Sequence, residues 1–90
     1  MEYFEDEYVV VDLETTGLSP FNGDEIIEIG VTEIRGDKIH RNYSRLVKPN
    51  GFIPSIITEI TNITNEMVED ALPIEEVLPN FRKYIGNRTI

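Results

Sequence analysis

The chain has 90 residues, 40% hydrophobic and 28% charged, with 17 acidic side chains against 8 lysines and arginines and a net charge of −9. At that length burial only just offsets chain entropy, so one small domain is the most it can form, and with no cysteine it can build neither a disulfide framework nor a thiolate-held zinc. The acidity also excludes capture of nucleic acid by a basic belt, because counterion release requires lysines and arginines.

Residues 1–6 read as a flexible, acidic leader rather than a basic signal region, and no apolar run approaches the ~20 residues of a membrane span. The expectation is a cytoplasmic protein with no membrane partner. The first strand covers residues 7–14, where three consecutive valines suggest burial on both faces. Side chains alternate along a strand, so Asp12 and Glu14 share one face while Val9, Val11 and Leu13 share the other. Like charges repel, and a hard divalent cation held between two carboxylates relieves the repulsion. Taken alone, in a chain this acidic, two solvated strand-end carboxylates are the ordinary alternative. Gly17 reads as a backbone requirement at the turn, by positive φ and close approach.

Residues 17–24, with Ser19-Pro20 and Asn22-Gly23, form a loop. Over residues 25–35, Ile27, Ile29 and Val31 alternate with Glu28, Gly30 and Thr32, and Gly36-Asp37 turns the chain into a strand over residues 38–48, giving a β-meander. Arg41, Arg45 and Lys48 either contact phosphate or, more commonly for such residues, keep an edge strand from aggregating. After Pro49-Asn50-Gly51, Ser55 is expected to cap a short helix through Ile60, and Thr64 a second. The third helix carries Ile74, Val77, Leu78, Phe81 and Ile85 on one stripe, with Glu75 and Glu76 near its positive end. Pro79 lacks an amide donor, so the regular helix is expected to start near Glu75 or Glu76, or to kink. Gly86-Asn87 closes it.

Asp12-Leu13-Glu14-Thr15-Thr16-Gly17-Leu18 resembles the first motif of the DEDD exonucleases, which include the proofreading subunit or insert of bacterial replicative polymerases. Ile26-Ile27-Glu28-Ile29-Gly30 resembles the family's second strand, Leu46-Val47-Lys48-Pro49 its third strand and exit, and Ile60-Thr61-Asn62-Ile63-Thr64 the segment that helps hold the terminal nucleotide. Residues 74–86 resemble the helix that follows. The resemblance implies an α/β chain forming the amino-terminal half of a ribonuclease H-like fold, a three-stranded antiparallel meander followed by helices over residues 1–90.

It further implies a metal-dependent 3′–5′ exonuclease of the proofreading type, most like the epsilon or PolC branches of DNA polymerase III, releasing nucleoside monophosphates from DNA 3′ ends. Asp12 and Glu14 would be the catalytic acids and metal ligands for Mg²⁺ or Mn²⁺, two ions in the complete enzyme. Thr15, Thr16, Gly17, Leu18, Ile60 and Thr61 would bind substrate, with Leu18 beside the terminal base. Ordinary packing for Leu18 and Ile60, and helix capping by Thr61, are the alternatives. Glu28 stays outside the site, and Asn62 stands where the family often has glycine. Implied partners are the single-stranded DNA 3′ end, or RNA in a narrower alternative, and DNA polymerase subunits.

The family's third and fourth acids and its histidine base, a tyrosine in a sister branch, belong to later motifs, and the sole histidine here, His40, matches none of those positions. The 90 residues are therefore expected to be catalytically inactive or nearly so, with a non-catalytic binding or assembly module as the second functional reading. In the family the first strand is central, so its free edge is expected to promote self-association.

Overall fold

The computed structural model describes residues 7–90; the leader expected over residues 1–6 lies outside the described residues. Three strands, β1 (Glu7–Thr15), β2 (Ile26–Arg35) and β3 (Lys38–Leu46), form an antiparallel sheet in sequential order. Gly36, at φ 64°, makes the tight turn from β2 to β3. The β1–β2 register sets Val11 against Val31, Asp12 against Gly30 and Glu14 against Glu28.

A 3₁₀ turn (Pro20–Asn22) interrupts the first connection, and α1 (Ser55–Thr61), α2 (Asn65–Val68) and α3 (Ile74–Ile85) follow the sheet. Val9, Ile29 and Val31 meet Val77 and Ile85 of α3 in one buried cluster, while Ile27, Ile53, Ile63 and Val68 form a second. Each such aliphatic side chain contributes roughly 1.5–3 kcal/mol on leaving water.

Four expectations need correcting. Val9 is buried and Val11 half-buried, but Val10 is 49% exposed, because the valine-lined face of β1 that meets α3 is the one carrying Val9 and Val11. Ser55 is the first helical residue of α1 and Pro54 its N-cap, with no side-chain capping bond. Thr64, by contrast, does cap α2, its Oγ1 accepting the Met67 N–H at 3.2 Å. Helix α3 begins at Ile74 and continues through Pro79, whose lost amide bond would fall on the exposed Glu75 carbonyl side, where water can replace it. The stripe on α3 also differs at one place. Leu78 is 44% exposed, and Tyr84, seven residues after Val77, packs on the cluster instead.

Two polar tethers fix the helices. Glu33 accepts a hydrogen bond from the Tyr84 hydroxyl and pairs with Arg88 Nη1 at 2.8 Å; Arg88 also stacks 4.7 Å from the Tyr84 ring centroid, and Tyr84 meets Tyr43 edge-on at 5.0 Å. The chain beyond α3 then returns to the sheet, where Val9 N–H donates to the Thr89 carbonyl at 2.8 Å, in a parallel bridge at Tyr8 and Thr89. At the other end the Asn65 side chain mimics a peptide, accepting from Ile53 N–H at 2.8 Å and donating to the Ile53 carbonyl at 3.1 Å. No helix among the described residues is long and apolar enough to cross a membrane.

Candidate active site

Strand alternation and the register place Asp12 and Glu14 on one face of β1, with Gly30 and Glu28 as their respective neighbours on β2. This is the face opposite the α3 cluster. Asp12 is exposed and Glu14 half-buried, so both carboxylates reach solvent at the end of an otherwise apolar strand. Gly30 adds no side chain there; a Cβ built on it would lie 3.8 Å from the Asp12 Cβ. Glu28, half-buried, faces the same side as Glu14. Among the described residues no group of three or more histidine, aspartate or glutamate side chains gathers closely enough to hold an ion.

The strand runs directly into a turn whose rigidity comes from Asp24. Its carboxylate accepts the Ser19 N–H at 2.9 Å and the Thr16 hydroxyl at 3.3 Å. Thr16 is buried, and its Oγ1 also accepts the Glu25 N–H at 2.8 Å, while Thr15 Oγ1 donates to the Gly17 carbonyl at 2.7 Å. The reading of Gly17 changes accordingly. Positive φ occurs at Gly23, Gly36 and Gly86 but not at Gly17, where the requirement is close approach: a Cβ would stand 2.4 Å from Asp24 Oδ2. Leu18, 98% exposed, packs on nothing within the described chain, so a loop-anchoring role for it is excluded.

Ile60 and Thr61 lie on α1, which is held to the sheet through its other face. Ile57 of α1 packs on the buried cluster containing Ile27, Ile53, Ile63 and Val68. Ile60 is 71% exposed, which excludes core packing. Thr61 lies at the carboxyl end of α1, where its hydroxyl donates to the Ile57 carbonyl at 2.8 Å and accepts the Ile63 N–H at 3.1 Å. Asn62 takes the left-handed conformation, φ 63°, that asparagine tolerates.

Residues 9–90 match the model of the family described as Exonuclease, RNase T. The chain belongs to this exonuclease family. It is 47% identical over 89 residues to the DNA polymerase III PolC-type of Clostridium perfringens, an alignment covering 99% of this chain and 6% of that protein. It is 39% identical over 83 residues to the DNA polymerase III subunit epsilon of Aquifex aeolicus, covering 92% of this chain and 41% of the other. Among solved structures, the nuclease domain of 3′hExo, a DEDDh family member bound to rAMP, superimposes with a TM-score of 0.78 at 25% identity, over 91% of this chain and 44% of that one. The chain thus spans less than half of each of these relatives. The sheet followed by helices is that of the ribonuclease H-like exonucleases.

Within this chain, the sequence motif marks Asp12 to Leu18 but not what holds them. Asp24 and Glu25, which clamp the turn, read in sequence as loop and strand-start acids. The available signal was Asp24 standing just past a glycine turn, where a short acid commonly accepts backbone amides.

Proposed function

We propose that Asp12 and Glu14 are the metal ligands of a two-metal 3′–5′ exonuclease that removes nucleoside monophosphates from DNA 3′ ends as the proofreading component of a replicative polymerase. One observation carries this reading: two carboxylates share the open face at the end of an apolar strand that leads straight into a rigid turn bearing a fully exposed leucine. The donors fit a hard cation. They are oxygen only, their Cα atoms are roughly 7 Å apart along the strand, and Gly30 leaves the space beside Asp12 clear. Asp12 and Glu14 would hold Mg²⁺ or Mn²⁺, which would supply a more acidic attacking water and charge stabilisation at the leaving 3′ oxygen.

The chain's own residues do the rest of the work assigned here. Asp12 and Glu14 hold the ions, and Glu14 orients the water. Leu18 and Ile60 offer apolar surface to the terminal nucleotide, Thr15 and Gly17 present the turn's backbone to its sugar, and Thr16 and Thr61 keep those segments in place. His40, exposed on β3, receives no role as base. The polymerase relatives support DNA as substrate and polymerase subunits as partners, and a bacterial replication protein belongs in the cytoplasm. The neighbour bound to rAMP supports a second reading, an exoribonuclease on the same site.

The direct test is Mn²⁺ titration of the 90-residue chain. Asp12→Asn and Glu14→Gln are each expected to weaken the ion about tenfold, with thermal stability equal or higher because a like-charge pair is relieved. Unchanged affinity in both variants removes the site. Two ligands alone make a weak centre, and a general base is worth roughly 10²- to 10⁴-fold, so mononucleotide release by the 90 residues is expected to be negligible. EDTA-sensitive release from single-stranded DNA contradicts that.

The edge of β1 away from β2 supports the proposed self-association. Among the described residues the bridge to Thr89 covers its start, and the pairing seen on this edge reaches Val9. A second copy adding a strand along residues 10–13 satisfies those backbone groups. Sedimentation velocity is expected to show a concentration-dependent dimer, and a monomer throughout the millimolar range refutes it.

A further inference from the structure

We infer that Glu25 is a positioning residue that locks the turn following the carboxylate strand and the nucleotide-facing helix α1 into one geometry; the inference rests on the exonuclease reading of Asp12, Leu18 and Ile60. Glu25 makes two sets of contacts in opposite directions. Its backbone grips the turn: Thr16 N–H donates to the Glu25 carbonyl at 2.9 Å, and Glu25 N–H donates to Thr16 Oγ1 at 2.8 Å. Its carboxylate grips the segment ahead of α1, accepting Asn50 N–H at 2.8 and 3.0 Å and Gly51 N–H at 3.0 Å.

Two adjacent amides pointing at one carboxylate form a charge-assisted contact, stronger than a neutral hydrogen bond and fixed in direction. The approach does not depend on glycine at position 51, where a Cβ would stand at an ordinary 3.8 Å from Glu25 Oε2. Two residues on, Ile53 is pinned by the Asn65 side chain through both its N–H and its carbonyl. Residues 50–53 are therefore held from two sides, and α1 starts at Ser55, directly after them. Its far end carries Ile60 and Thr61. Hydrogen bonds thus run from Thr16, two residues after Glu14, through Glu25 to residues 50 and 51, from which the backbone leads through Ile53 into the helix that presents Ile60.

A solvated strand-start acid would leave both ends untouched when removed. A positioning residue would leave the ion in place and loosen the nucleotide. Sub-ångström placement of binding groups is what such a link secures, and its loss is costly far from the chemistry itself.

The test uses the whole 90-residue chain, with Mg²⁺ and thymidine 5′-monophosphate as probes and amide hydrogen exchange as a ligand-free readout. Glu25→Ala is expected to keep the native Mg²⁺ affinity, to lose on the order of tenfold in monophosphate affinity, and to speed exchange of the α1 amides. Glu25→Gln, which keeps one acceptor oxygen, is expected to recover part of both losses, and it carries the test should the alanine variant fail to fold. Native monophosphate affinity in Glu25→Ala overturns the inference, as does unaltered α1 exchange. Loosened α1 exchange in a chain whose native form binds no monophosphate upholds the link and sinks the exonuclease site instead.

Discussion

Gly17→Ala is expected to destabilise the chain by about 2 kcal/mol and to lower its melting temperature by roughly 8–16 °C, although it adds a single methyl group at a position of ordinary φ. The new Cβ would stand 2.4, 2.6 and 2.7 Å from Asp24 Oδ2, Cγ and Oδ1. Such distances are not tolerated, so the carboxylate must swing away. It then forfeits the Ser19 amide at 2.9 Å and the Thr16 hydroxyl at 3.3 Å, the first a charge-assisted bond. Alanine's smaller unfolded-state entropy returns only a few tenths of a kcal/mol to about 1 kcal/mol.

The mechanism makes a sharper claim than the magnitude. Asp24→Ala removes the same bonds and also the obstruction, so Gly17→Ala should cost little more in an Asp24→Ala background. A double-mutant cycle by thermal or urea unfolding is expected to give a coupling of about 1 kcal/mol or more. Additive losses would mean that Gly17 is needed for some reason other than Asp24.

Strand alternation made the sheet legible, and the same alternation held an unused signal. Ile27, Ile29 and Val31 occupy successive inward positions of β2, and Glu33 is the next position in that series. A charge on the buried face requires a partner, which the structure supplies from residues 51 and 55 places later in the chain. No local pattern points to Tyr84 and Arg88 as that partner, because it depends on where α3 packs. The Glu25 contact to Asn50 and Gly51 is similarly remote, 25 and 26 residues apart. Residues 12–18 were readable because the chemistry there sits in one unbroken segment. Three valines in a row do not say which faces a helix will cover, and Val10 is exposed; the missing amide of Pro79 is costly only where water cannot stand in.

Glu33→Ala should produce the second large loss, about 2–4 kcal/mol, and it should act through charge left without a partner rather than through lost packing. The Glu33 and Arg88 side chains are 13% and 21% exposed. Removing the acid therefore takes the counter-charge from a largely buried guanidinium, which keeps only the Tyr84 and Ile85 carbonyls as acceptors, and leaves the Tyr84 hydroxyl without its acceptor. The pair Glu7 and Arg35 provides the contrast: its 2.8 Å contact is as short, but the side chains are 41% and 55% exposed, so Glu7→Ala should cost less than about 1 kcal/mol and be erased by salt.

The consequence of Glu33→Ala extends to the sheet edge, because Arg88 immediately precedes Thr89, whose carbonyl caps Val9 N–H. Without its anchor on β2 that segment is freer to leave, and more of β1 becomes available to a second chain. The variant should thus melt earlier by urea unfolding and dimerise at lower concentration by sedimentation, two effects that Tyr84→Phe, which keeps the Arg88 pair, should show only weakly. A Glu33→Ala protein that loses stability without any change in association would separate the clamp from the edge it guards.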